Sequence, residues 1–361
     1  MITSPFYFTV CQVGAEKALK EEMARIAPGL RFSFSRPGFV TFKLLEGEAD
    51  GTWAPGSVFA RAWGVSLGKG AEVAPLVQGL HARANGGLRL HVWERDQHLP
   101  GDEPPDFEQG PAAEALEARL RRDFPGVFLE GSQAREGDLV FDAVLIEREG
   151  PDHPAEIWWG WHVHTRAHSA FPGGRPPLEL PELAPSRAWL KLEEMMHWTG
   201  SPLRAGDRAL EVGSAPGGVS YAMLERGLSV IGIDPAKMDP VCLGNPRFKH
   251  IAEAANAVRR ERLPEEIHWI LLDMNVKPDV SLFAVDRLVS RAGPALLGVL
   301  LTVKLNDWKY AREIPHMIAH VKAMGLKNVR AAQLASHRRE IAIAGFTRRG
   351  QMRLGGRIAQ E

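Results

Sequence analysis

The stretch Arg208-Ala209-Leu210-Glu211-Val212-Gly213-Ser214-Ala215-Pro216-Gly217-Gly218 leaves this chain few folds to choose from. An apolar strand enters a Gly/Pro-rich turn, and a helical stretch, VSYAMLERG, follows. That order is the first β-turn-α unit of a doubly wound α/β domain, whose ligands sit over the carboxyl ends of the strands. Glycines at 213, 217 and 218 would let the backbone approach a ligand closely, because no Cβ stands in the way. The spacing is neither G-x-G-x-x-G nor G-x-x-x-x-G-K-[ST], which argues against a dinucleotide or a nucleoside triphosphate.

A second strand, SVIGID, ends at Asp234, 21 residues after Gly213. A carboxylate there can accept both hydroxyls of a ribose. A nucleoside ligand without a pyrophosphate fits the pair of features, and S-adenosylmethionine is the common one. An ordinary strand-turn-helix corner is the rival explanation. Asp234 argues against it, since an acid at a strand's end is hard to explain as packing.

The length, 361 residues, allows two or three domains, and a composition 45% hydrophobic and 24% charged is that of a globular protein. Cys11 and Cys242 suggest neither a disulfide framework nor a zinc site, so a reducing cytosol is expected. No apolar run approaches a membrane span, and MITSPFYFTV does not read as a signal peptide. Charge is uneven: 18 basic against 25 acidic residues in 1–180, then 26 against 19 in 181–361. The second half is thereby inclined toward an anionic partner.

Along the chain, FYFTVCQV reads as a strand, AEKALKEEMARI as an amphipathic helix and LRFSFSRPGFVTFKL as a hairpin. GLRLHVWER is a further strand, followed by an acidic, Pro-rich loop, HLPGDEPPDFEQGP. EALEARLRRDF is a helix, and LVFDAVLIER and EIWWGWHVHTR are strands. The tryptophans at 158, 159 and 161 are read as core packing in preference to a platform for stacking RNA bases. Residues 166–185, AHSAFPGGRPPLELPELAP within them, form a linker or an ordered wrap, and Pro185 marks the start of the next helix.

Four further residues carry chemistry. HWILLD ends at Asp273 and LLGVLLTVK ends at Lys304. NVRAAQL and EIAIAGFT make a closing antiparallel pair, which puts Glu340, the first residue of the reversed strand, at the same sheet edge. Lys191, on the helix entering the domain, could reach over that edge, although Glu194 at i+3 offers it a surface ion pair. Asp273 could instead cap the next segment. A charged residue ending LLGVLLTV, however, needs a partner or a purpose.

This order of Lys191, Asp273, Lys304 and Glu340 around the GSAPGG turn resembles the K-D-K-E tetrad of FtsJ-like ribose 2′-O-methyltransferases. The stretches RAHSAFPGGRPPLELPELAPSR, LKLEE and VKL are closer still to the RlmM family of large-subunit rRNA cytidine 2′-O-methyltransferases. The resemblance implies a C-terminal Rossmann-like class I methyltransferase domain over 186–361, with a mainly parallel seven-stranded sheet. It also implies a ferredoxin-like α+β segment over 1–85 and a THUMP-like RNA-binding domain over 86–165. S-adenosylmethionine would be held by Ser186, Gly213, Ser214, Ala215, Pro216, Gly217, Gly218, Asp234 and Asp273. An acid often meets the adenine in this family, but Ala254 stands there, so Glu253 or Asn256 would substitute. Members can have Ser where this chain has Ala188, leaving Ser186 as the nearest hydroxyl.

In the mechanism so implied, Lys304 is the general base for a ribose 2′-hydroxyl and Lys191 orients the nucleophile. Burial, the second ammonium and the sulfonium are expected to lower the Lys304 pKa, with Asp273 and Glu340 opposing part of that shift. No metal is expected, nor a membrane; the partner is large-subunit rRNA, the protein a cytoplasmic monomer. Arg259, Arg260, Arg262, Lys322, Lys327, Arg330, Arg338, Arg339, Arg348 and Arg349 are candidates for holding RNA. A methyltransferase of small molecules or proteins is the main rival, and it would need no second lysine.

Overall fold

Every strand before Pro177 joins one seven-stranded sheet and every strand after Leu178 joins another, in a computed structural model that describes residues 3–70, 72–99, 109–146, 156–201 and 203–354. The chain divides accordingly into two units, Met1–Pro177 and Leu178–Glu361. No helix among the described residues is long and apolar enough to cross a membrane.

The first unit runs β1 (Phe6–Val10), α1 (Glu16–Ile26), β2 (Leu30–Arg36), β3 (Phe39–Leu44), β4 (Ala62–Lys69), α2 (Val73–His81), β5 (Arg89–Glu94), α3 (Pro111–Asp123), β6 (Leu139–Ile146) and β7 (Glu156–Val163). Its strand order is β2-β3-β1-β4-β7-β6-β5, with β5–β6 the parallel pair. Strands on both sides of residue 85 share this sheet, so the boundary expected there falls inside it. Most of the acidic loop, residues 100–108, lies outside the described residues. Trp158, Trp159 and Trp161 are all buried. The first stacks on Phe34 and the second on Phe141, while Gly160 leaves room for the Phe8 ring. Core packing therefore uses them, and RNA stacking does not. The start of the expected linker belongs to this unit: Arg61 Nε donates to Gly173 O at 2.9 Å, and Arg175 pairs with Asp96.

The second unit runs α4 (Ala188–Thr199), β8 (Arg208–Val212), α5 (Gly218–Glu225), β9 (Ser229–Ile233), α6 (Pro240–Leu243), β10 (Phe248–Ile251), β11 (Trp269–Asp273), α7 (Pro278–Ala292), β12 (Gly298–Lys304), α8 (Ile314–Ala323), β13 (Lys327–Ala332), β14 (Glu340–Phe346) and α9 (Arg348–Arg353). The order is β10-β9-β8-β11-β12-β14-β13. The sheet is mixed and not, as expected, mainly parallel: four ladders are parallel and the two made by β14 are antiparallel. Crossovers allow the first kind of pairing, whereas the short turn between β13 and β14 permits only the second. Beneath lies a core including Leu192, Met223, Trp269, Leu300 and Phe346.

Candidate active site

Sheet register brings the charged strand ends together. Lys304 and Glu340 face one another across β12 and β14, and Asp273 stands opposite Thr302, two residues before Lys304. Helix α4, packed on β12 and β14, supplies Lys191 from above. Lys191 Nζ lies 3.1 Å from Asp273 Oδ2 and 3.0 Å from Glu340 Oε1. Lys304 Nζ lies 3.0 Å from Asp273 Oδ1 and pairs with Glu340 Oε2. Each ammonium bridges both carboxylates, so the four charges alternate around a closed ring of net charge zero.

Burial shapes the ring's acidity. The Glu340 side chain is 7% exposed, which by itself would raise its pKa. Lys191, His337 and Lys304 outweigh that and hold the carboxyl well below its usual range. For Lys304, burial lowers the pKa, but the Asp273 and Glu340 carboxylates more than reverse this. The group ends above an ordinary lysine. This corrects the expectation of a depressed Lys304: with two anions in direct contact, attraction exceeds desolvation.

The turn before Glu340 is held by α4. Glu194 accepts the Ala335 and Ser336 N–H groups at 3.0 and 2.7 Å. In the same turn His337 is fully buried, its Nδ1 accepting the Leu334 N–H at 3.2 Å. Burial holds His337 near pKa 4, hence neutral. LKLEE thus both presents Lys191 and fastens the segment that presents Glu340.

Beside the ring is a cavity of about 780 Å³, lined by Gly213, Asp234, Ala254, Asn256, Asp273 and Phe283 among others. It has the size of a small-molecule pocket, roughly 300–1,000 Å³. Gly213 has φ +79°, and a Cβ there would stand 2.5 Å from Asp273 O. Asp234 accepts the N–H of Ala215 at 3.1 Å and of Ala236 at 2.8 Å, so it shapes the turn while keeping lone pairs for a ligand. Ala215 also lines the cavity.

Other expected cofactor residues stand behind this surface. Ser214 is buried against Met238, its hydroxyl 3.4 Å from Sδ. Pro216 O accepts the Asp239 N–H at 2.9 Å. Gly217 makes room for Cys242, and Gly218 for Ser186, whose Oγ accepts the Ala188 N–H at 3.3 Å. At these two glycines an added Cβ would meet protein atoms, Cys242 Sγ and Ser186 Oγ. Glu253 pairs with Arg262 and does not line the cavity, whereas Asn256 does. The cavity is also lined by Asn275, from the turn after β11, and by Phe283 and Arg287 of α7, none of them among the residues expected from the sequence. Their signal was MNVKPD, a strand end followed by a helix-starting proline. Glu211 was not expected either; it is wholly buried with the Ser220 hydroxyl donating to it, and burial raises it far above the usual carboxyl range.

The basic candidates for RNA do not form one face. Arg338 and Arg339 are exposed and immediately precede Glu340. Lys327 sits opposite Phe346, with Arg348 and Arg349 just beyond it. That is the other end of the sheet, the length of β12 or roughly 20 Å from the ring. Lys322 lies in the last turn of α8, just before it. Arg330 lies over the Trp198 ring at 5.2 Å, and Arg262 is taken by Glu253. Arg259 and Arg260 are exposed in the connection leading to β11.

Together the second unit's sheet, cavity and ring define an FtsJ-like methyltransferase fold, and the family model described as FtsJ-like methyltransferase matches residues 184–306. Over 268 residues the chain is 32% identical to a "Ribosomal RNA large subunit methyltransferase M" from Alkalilimnicola ehrlichii, covering 66% of this chain and 72% of that one. A protein of the same name from Sodalis glossinidius is 31% identical over 186 residues, covering 49% and 50%. The chain belongs to the ribosomal RNA large subunit methyltransferase M family. It spans about half the length of several of these relatives. Among solved structures, a protein titled a ribosomal RNA methyltransferase, from Plasmodium falciparum, is 19% identical with a TM-score of 0.36, covering 45% of this chain and 97% of that chain.

Proposed function

We infer that this protein, in the cytoplasm, transfers a methyl group from S-adenosylmethionine to the 2′-hydroxyl of a ribose in large-subunit rRNA, at a cytidine. The observation that carries the reading is the closed ring of Lys191, Asp273, Lys304 and Glu340 sharing Asp273 with the cavity. The cavity suits the cofactor in volume, in the Gly213 backbone that a Cβ would obstruct, and in the Asp234 carboxylate placed for ribose hydroxyls. When bound there, S-adenosylmethionine would supply an electrophilic methyl group, its carbon–sulfur bond breaking to leave a neutral thioether.

The chain's part is to ready the hydroxyl. Lys304 takes its proton as the new oxygen–carbon bond forms, and Lys191 donates to the oxygen and fixes its line of approach. In the free protein Lys304 is a full ammonium, so it must first give its proton to solvent water before it can accept the hydroxyl's. Asp273 and Glu340 set how readily that happens. Arg338 and Arg339 stand where RNA phosphates would meet the ring's edge, and the first unit, read through the family resemblance as ferredoxin-like and THUMP-like, would hold RNA as well.

Mass spectrometry of rRNA from cells lacking the protein locates the acceptor nucleotide. An RNA carrying 2′-deoxyribose at that nucleotide should then accept no methyl group from the purified protein. A methylated base in the nucleoside digest, or transfer to the deoxy substrate, would overturn the reading in favour of another methyltransferase chemistry.

A further inference from the structure

Three histidines of the first unit take no part in that reaction. His162 lies near the end of β7, and His164, two residues on, continues the same face. A turn closed by the His168 N–H on Thr165 O, 3.0 Å, returns His168 to them. One ring nitrogen of each lies within 4.8 Å of the other two, and all three side chains are buried. His162 and His168 stack with centroids 4.5 Å apart.

Their hydrogen bonding is incomplete in a patterned way. His162 Nε2, His164 Nδ1 and His168 Nε2 are buried with no hydrogen-bond partner among the described residues. Each such nitrogen costs about 1–3 kcal/mol, and three side by side call for an explanation. On the outer side two rings are held. His162 Nδ1 is 2.7 Å from Asp142 Oδ2, and His168 Nδ1 is 3.0 Å from Thr165 Oγ1. Asp142 stands on β6 on the same sheet face as His162, their strands being paired so that His162 faces Val140. An imidazole that donates Nδ1–H to a carboxylate offers a bare lone pair at Nε2, which is how metal-binding histidines are held.

We propose that His162, His164 and His168 bind one borderline divalent transition-metal ion, of which zinc is the type, with Asp142 and Thr165 orienting the ligand rings. Three neutral imidazoles are a fitting donor set for such an ion. In the free protein the Thr165 N–H donates to His168 Nδ1 at 3.2 Å. With the ion on Nε2, the proton sits on Nδ1 and is donated to Thr165 Oγ1. Metal–nitrogen bonds of about 2.0–2.1 Å place ligand nitrogens about 3.4 Å apart, so the rings close by no more than about 1.5 Å. The ion would join the end of β7 to the turn leading into the Pro172–Gly174 wrap, a structural role in which metal-free chain is less stable. Such a site departs from the metal-free protein expected above.

The test uses the full chain without a histidine tag, stripped by chelator. Zn2+ alone is titrated against a chromophoric indicator, and zinc-edge X-ray absorption is recorded on the wild-type complex. One ion per chain is expected, with three imidazole nitrogens in its shell and a Tm several degrees higher. His164→Gln should weaken the ion at least 100-fold and Asp142→Asn by 10–100-fold. Wild-type protein binding no stoichiometric ion, or one whose shell lacks imidazole, overturns the proposal. So does a folded His164→Gln that binds as the wild type does. Should that variant fail to fold, the wild-type absorption edge decides alone.

Discussion

Replacing Glu340 by glutamine keeps the side chain's shape and removes one of the ring's two negative charges. Lys191 and Lys304, 15% and 18% exposed, would then share the single carboxylate of Asp273. Removing one partner of a buried ion pair costs about 3–5 kcal/mol. Both lysines can still reach water, so about 2–3 kcal/mol is the expected loss at neutral pH. The dependence on pH has a definite sign. The Glu340 pKa is lower in the folded protein than in the unfolded chain, so its stabilisation is present above the unfolded value, about 4.3, and disappears as pH falls through the folded one. Between pH 5 and 3 the wild type should lose about 1.5–2 kcal/mol that Glu340→Gln does not. Urea unfolding of both proteins across that range reads the gap directly. Lys304 meanwhile loses one of the two anions that raise it, so its pKa should fall. The rising limb of the methyl-transfer pH profile should move to lower pH with it. A stability gap that does not narrow with acid would mean that Glu340 carries no charge in the ring. A limb that stays in place would mean that Lys304 is not the group whose ionisation controls the rate.

Lys304→Arg keeps a positive charge that cannot be given up in the working range, so it should bind S-adenosylmethionine yet be nearly as inactive as Lys304→Ala. Retention of a tenth or more of wild-type turnover would make Lys304 a fixed cation and not the base. Asp234→Ala should weaken S-adenosylmethionine by about 1.5–3 kcal/mol in calorimetric titration, and unchanged affinity would remove Asp234 from the site. Gly213→Ala forces a side chain into positive φ and against Asp273 O, at a cost of about 1–3 kcal/mol or more, read by thermal unfolding. If it folds and binds ligand normally, the tight approach of the turn to β11 is not needed.

The strand-turn-helix at 208–225, the acid at Asp234 and the charged ends of β11 and β12 were all legible in the chain. Each rests on local rules: an apolar run, a break, and a residue whose charge cannot sit inside a sheet. The reversed last strand followed from its short preceding turn, and with it the place of Glu340 beside Lys304. Strand β4 was not legible, because Gly64 and Gly68 interrupt its pattern. Its Gly64 is small on account of Trp161 and Phe8, residues far away in sequence. Gly217 and Gly218 read as ligand-facing, and only the positions of Cys242 and Ser186 showed what fills the space beside them. The raised Lys304 depends on contact distances to two carboxylates, one from β11 and one from β14. Sequence order determined which groups arrive at the sheet edge; whether attraction or desolvation governs them is set by separations of a few ångströms, which only the packed structure decides.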